Sequence, residues 1–273
     1  MSPPSLDKEN PYAAPVSNLN QNGNDNQAGF DPGGKSVGTD KVMGWYGRAF
    51  EMFKTNAGMW ILMIIVFMIL NMVLAFIPLV NLAMHILFPV FAGGFMLGCM
   101  AIDRGEALRI EHIFEGFQKN FSSLALVGLL YLAALFAIGV VVAIAMLVVG
   151  LGGIGAMMAG GGSSLAGTLL AGGMGVGFLL IFLVAMALMI PVAMAIWFAP
   201  LLVVAHQMTP IDAMKASFSG CIKNILPFLL YGILYIVFAI VACIPLMLGW
   251  LVLGPVLIAS VYTSYQDIYL TRN

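Results

Sequence analysis

Between Lys119 and Asp212 the chain carries no Asp, Glu, Lys or Arg. An ordinary soluble domain is about 25% charged and does not leave so long a segment bare. Over the whole chain charged residues make up 8% and hydrophobic residues 62%. Several apolar stretches reach the roughly 20 residues that cross a bilayer as a helix. They are continuous rather than alternating, which excludes a transmembrane β-barrel. The chain therefore reads as an all-α, polytopic membrane protein.

Six spans are expected, over about 59–76, 82–102, 124–149, 178–204, 225–247 and 251–269. Pro191 and Pro200 remove helical hydrogen bonds and should kink the fourth. Residues 150–177 are rich in glycine and uncharged, and read as a flexible apolar loop at the far interface or partly within it. Residues 1–40 are rich in Asn, Gly, Pro, Ser and Gln and read as a disordered cytoplasmic tail ahead of a transmembrane domain at 41–273. The first apolar run begins near Met59 and is too long for a cleaved signal peptide. Within the tail, Asn10-Pro11-Tyr12-Ala13-Ala14-Pro15 reads either as a stiff linker or as a handle for a protein partner.

Three short amphipathic helices introduce the odd-numbered spans. In the third, Thr209 caps, Pro210 fits the first turn, and Asp212 lies near the positive end of the helix dipole. Ile211, Met214, Phe218 and Ile222 share one face, with Asp212, Lys215, Ser219 and Lys223 beside it. In the first, over Trp45 to Asn56, Trp45, Ala49 and Phe53 share a face with Tyr46 and Phe50. In the second, Ile113, Phe114, Phe117 and Phe121 face one way, and Glu115 and Lys119 pair at i, i+4. Such helices lie flat at the lipid–water boundary, apolar face toward the lipid. Phe50, Phe53, Phe114, Phe117 and Phe218 are the expected interfacial anchors.

A phrase recurs in these lead-ins. Phe50 to Asn56, Phe114 to Asn120 and Phe218 to Asn224 all read F-x-x-[FC]-x-x-N. The first and third units also share Ile-Pro-Leu at their turns and a proline, Pro89 or Pro255, in the following span. The expected architecture is three parallel helical hairpin repeats about an axis along the membrane normal. Every Lys and Arg precedes the first span, lies within 103–120 or 205–224, or is Arg272. The positive-inside rule then places both termini in the cytoplasm.

Met194-Ala-Ile-Trp197-Phe198-Ala199-Pro200 is followed by Ala213 to Phe218, Cys221, Asn224 and Pro227-Phe228-Leu229. With the ending Ser260 to Asp267, this resembles an uncharacterised proteobacterial integral-membrane family. The hairpin-with-lead-in pattern is also similar, more distantly, to the membrane region of bacterial glycerophosphoryl diester phosphodiesterases. That enzyme's catalytic domain has no counterpart among these residues. The resemblance implies a fold and a location, a bacterial inner membrane crossed several times, and no chemistry.

No catalytic constellation emerges. Gly162-Ser163-Ser164-Leu165-Ala166 is one residue short of G-x-S-x-G and lies in low-complexity sequence. Glu111-His112 belongs to no H-E-x-x-H, and three scattered histidines and three cysteines lack metal-ligand spacing. Cys99, Cys221 and Cys243 are expected reduced. Asn71 and His85 fall in the outer halves of the first two spans and read as an interhelical polar pair or the start of a polar pocket. No enzyme activity, cofactor, metal or nucleic acid is expected; the lipid bilayer is the one firm partner. The function read from the sequence is a non-enzymatic scaffold or accessory protein; the alternative is a facilitator or transporter of a neutral or apolar solute or lipid, with a membrane enzyme the third and last reading.

Overall fold

In lipid a bare N–H or C=O finds no partner, so each apolar segment satisfies its own backbone as a helix. The computed structural model describes residues 29–76, 78–160 and 165–271, and among them no strand occurs. The helices are α1 (Lys41–Thr55), α2 (Ala57–Ala75), α3 (Pro78–Asp103), α4 (His112–Lys119), α5 (Phe121–Gly160), α6 (Leu165–Trp197), α7 (Ala199–His206), α8 (Pro210–Lys223), α9 (Ile225–Cys243) and α10 (Trp250–Tyr269). Among the described residues five segments are long and apolar enough to cross a membrane: Ala57–Ala75, Ala83–Asp103, Phe121–Gly155, Gly172–His206 and Ile225–Cys243. They coincide with the first five expected spans. α10 has the length for a sixth, at 20 residues, but Ser260, Thr263, Ser264, Gln266 and Asp267 lower its apolarity. It is enclosed by α1, α2, α3 and α9, and those polar side chains other than Asp267 are buried.

α1, α4 and α8 are the three expected lead-ins. Each ends on an asparagine in the same backbone conformation: Asn56 at φ −139°, ψ 37°, Asn120 at −136°, 29°, and Asn224 at −123°, 33°. Each asparagine carbonyl then accepts the N–H four residues on, from Trp60, Leu124 or Phe228, at 3.0 Å. The chain turns from lead-in to span in one way at all three places. The Thr209 cap is present, its hydroxyl accepting the Asp212 N–H at 3.3 Å. Glu115 and Lys119 pair at 2.8 Å.

The lead-ins pack on protein as well as facing outward. α1 runs along α10, α4 along α3, and α8 along α6 and α7. Trp45, Ala49 and Phe53, expected against lipid, are buried with Val42 and Tyr46 on the protein side of α1. Ile113 is likewise fully enclosed, and neighbouring Gly116 lies so close to the Val90 carbonyl that any side chain would collide. An amphipathic pattern reports that one face leaves water, not whether lipid or protein covers it. Of the expected anchors, Phe50 and Phe114 remain largely exposed, Phe117 and Phe218 are half-buried, and Phe53 is buried.

Two further expectations are corrected. The glycine-rich stretch is helical over 150–160 and 165–177, extending α5 and α6 into a long hairpin. α5 alone, 40 residues, measures about 60 Å at 1.5 Å per residue. Glycine costs a helix about 1 kcal/mol per residue, less than leaving a peptide group unpaired away from water. The glycines also bring the hairpin arms together, since a side chain at Gly153 would collide with Met174. The Gly162–Ala166 phrase begins at 161–164, outside the described residues.

Residues 29–40, expected in the disordered tail, form a strap across the lead-in end. Phe30 pairs with Leu270 in an isolated antiparallel bridge and stacks on His206 at 3.5 Å between ring centres. Asn224, fully buried, accepts from Val37 N–H at 2.8 Å and donates to the Lys35 carbonyl at 2.9 Å. Lys223 Nζ donates to the carbonyls of Gly33 and Gly34. Here polar backbone–side-chain bonds supply the ordering that the segment's weak apolarity does not. The Asn10–Pro15 phrase lies outside the described residues.

Candidate functional site

Aromatic side chains on four converging helices leave a space between them. Phe228, Tyr231, Gly232 and Tyr235 form an i, i+3, i+4, i+7 stripe along α9. Opposite stand Phe91, Phe95 and Met96 of α3 and Phe67 of α2, with Met194 and Trp197 of α6 closing a third side. The space is a cavity of about 770 Å³, within the 300–1,000 Å³ typical of ligand pockets. Phe88 and Ile190 line it and are exposed, marking where it opens on the apolar flank.

The third wall is shaped by a break in the chain. α6 stops at Trp197 and α7 restarts at Ala199, because Pro200 can neither donate nor tolerate the preceding turn's geometry. Ser217 of α8 repairs the break. Its hydroxyl accepts the Phe198 N–H at 2.9 Å and donates to the Met194 carbonyl at 2.6 Å. Both Pro200 and Met194 line the cavity. The predicted kink is thus a discontinuity at the site; Pro191 lies inside a continuous α6.

The Tyr231 hydroxyl beside the cavity is engaged by protein. Tyr231 bonds Ser260 at 2.8 Å, and Ser260 donates onward to the Leu257 carbonyl. Tyr46 donates to the Tyr231 carbonyl at 3.0 Å, its ring stacked on Tyr231 at 4.8 Å. Burial raises the Tyr46 pKa well above the usual phenol value, so it stays a donor. Trp197 stands edge-on to Phe228 and Tyr231, 5.9 Å from each. Cys221 reaches the cavity, but burial pushes its thiol up to about 12, far from nucleophilic thiolate chemistry. The walls suit hydrocarbon.

Below the cavity the lead-in end carries a polar layer. Asp267 accepts from Arg48 at 2.7 Å and from the Trp45 indole at 2.9 Å, while Thr263 donates to the Trp45 carbonyl. Asp103 accepts from Tyr262 and Gln266. Sequence reasoning assigned none of these roles, although polar residues crowding the end of α10 were a signal of enclosure. The expected polar pair does not form. The Asn71 amide donates back to the Phe67 carbonyl of its own helix at 2.8 Å, and His85 is exposed. The three cysteines are free.

No described protein family matches the chain, and no solved structure does. A probable inner membrane protein of Burkholderia thailandensis is 27% identical over 199 residues, covering 72% of each chain. Together with five apolar helices of spanning length, this marks a multi-pass inner-membrane protein.

Proposed function

We propose that the protein binds an apolar molecule of the lipid class in the central cavity, and carries or presents it without catalysing a reaction. The observation behind this is the cavity itself: about 770 Å³, walled by Phe, Met and Trp, and open on the apolar flank. The bilayer is the nearest reservoir of such molecules. α10 serves as a sixth span in this reading, which returns both termini to the cytoplasmic side where Lys and Arg concentrate. The shared asparagine turns and the matching lead-in contacts support three parallel hairpin repeats surrounding the cavity.

Gly232 offers the test. A methyl built there meets nothing within 4 Å, so Gly232→Phe should fill the cavity at little cost to folding. Protein purified in mild detergent should retain a lipid-class ligand in native mass spectrometry, and Gly232→Phe should lose it. Brominated acyl chains should quench Trp197 in the parent and far less in the variant. Equal occupancy and equal quenching in both would refute the reading. Flux of an apolar solute into proteoliposomes separates a facilitator from a static binder.

A scaffold role is the second reading, favoured by the strap. Residues 29–37 fix the root of the N-terminal region to α8 and α10, beside the lead-in layer. A partner bound to residues 1–28 would thereby be held at a fixed place on the protein. Co-purification of a partner, lost on deletion of 1–28, would support it; an unchanged set of co-purifying proteins would count against it.

A further inference from the structure

A second concave feature lies away from the bundle centre. A groove of about 400 Å³ is formed by Leu130 of α5, Ala195 of α6, and Ile211, Met214 and Phe218 of α8, with Lys215 at its edge. It begins at the lead-in layer and reaches down the spans. Leu130 is nine residues into α5, about 14 Å along the axis. The depth is that of an upper acyl chain, and the edge is that of a headgroup.

The charge at the edge is free to act. Lys54 pairs with Glu51 and Lys119 with Glu115, while Lys223 serves the strap carbonyls. Lys215 has no such partner among the described residues. The carboxylate one turn earlier, Asp212, is engaged by the Thr209 hydroxyl at 2.7 Å. We propose that this groove seats one anionic phospholipid of the leaflet on the lead-in side, its acyl chain against Leu130, Ala195 and Phe218 and its phosphate at Lys215. Lipid is the occupant because the groove is walled by two membrane-crossing helices and the interfacial face of a third. The site is separate from the central cavity, and neither needs the other.

The full-length protein in detergent is offered phosphatidylglycerol or phosphatidylcholine, and retained lipid is counted by native mass spectrometry. The parent should prefer phosphatidylglycerol. Lys215→Gln should cut that preference about fivefold, one lysine near a surface being worth about 1 kcal/mol and 1.4 kcal/mol a factor of ten. Lys215→Arg should restore it, and Ala195→Phe, which fills the groove, should lower retention of both lipids. Lys41→Gln removes an exposed charge on α1 and should change nothing. An unchanged preference in Lys215→Gln overturns the proposal. So does an equal fall in Lys41→Gln, or a parent that retains both lipids alike. These two lysines are exposed, so their comparison decides even if Ala195→Phe fails to fold. Gly232→Phe should leave the preference intact, which separates this site's failure from that of the central cavity.

Discussion

The lead-in half of the molecule and its far half share the same kinds of apolar residue, and these behave oppositely in the two. Toward the lead-ins, Trp60, Met63, Leu124, Val127, Phe198 and Leu202 are fully buried, and aspartate, arginine, serine and tyrosine bond among them. Toward the other end, Met72, Val73, Leu147, Val148, Leu151 and Ile240 stand exposed on the helix surfaces. The apolar residue types do not distinguish the halves; contacts do. Protein covers one half and lipid is left to cover the other, so stability concentrates at the lead-in end. The cavity sits on the seam, with packed aromatics beneath it and an open flank above.

The polar layer gives the sharpest way to break this comparison. Asp267→Ala leaves the Arg48 guanidinium without its carboxylate and the Trp45 indole without its acceptor. Breaking a fully buried pair costs about 3–5 kcal/mol. With 34% of the Arg48 side chain exposed, the expected loss is about 2 kcal/mol, read as a lower thermal midpoint in detergent. An unaltered midpoint would mean that the lead-in end is not held by this layer.

The three turn asparagines grade the effect within that half. Asn224 bonds the strap and the Gly220 carbonyl, Asn120 donates to Gln207, and Asn56 reaches only its neighbour Thr55. Asn224→Ala should cost about 1–3 kcal/mol, since partners are left unpaired in a buried site. Asn120→Ala should cost less and Asn56→Ala least. Equal losses at all three would show that backbone conformation, and not the side-chain bonds, sets their worth.

The smallest effect belongs to the far half. Met72→Ala and Leu147→Ala, at side chains 61% and 60% exposed, should change stability by about 0.5 kcal/mol or less. Losses of the size expected for a core, about 2–5 kcal/mol, would reveal protein covering a surface assigned here to lipid.

The helices were legible because apolar length and proline or asparagine punctuation are local properties. The turn at Asn224 and the cap at Thr209 could be read from a few residues. What covers a face is not local. Trp45 of α1 meets α10, more than 200 positions later, and no pattern within α1 records that. The glycine-rich arms misled for a related reason: glycine breaks helices in water, whereas lipid penalises the unpaired backbone more. The site was legible only in part. Pro200 announced a kink, and the chain breaks there. The stripe of Phe228, Tyr231 and Tyr235 passed as ordinary apolar sequence until Phe91, Phe95 and Trp197 faced it across a gap.

The meeting of α1 with α10 also sets a timetable. Thr263 hydrogen-bonds the Trp45 carbonyl across 218 positions, so the first of the described helices waits for the last. At about 5–20 residues per second, that delay is roughly 10–40 s. During it the apolar side of α1 needs another cover, and the membrane surface is at hand. The amphipathic pattern of α1 suits it to moor an unfinished chain there before it closes on α10. A nascent chain halted before Trp250 should leave α1 open to protease, and completing the chain should close it.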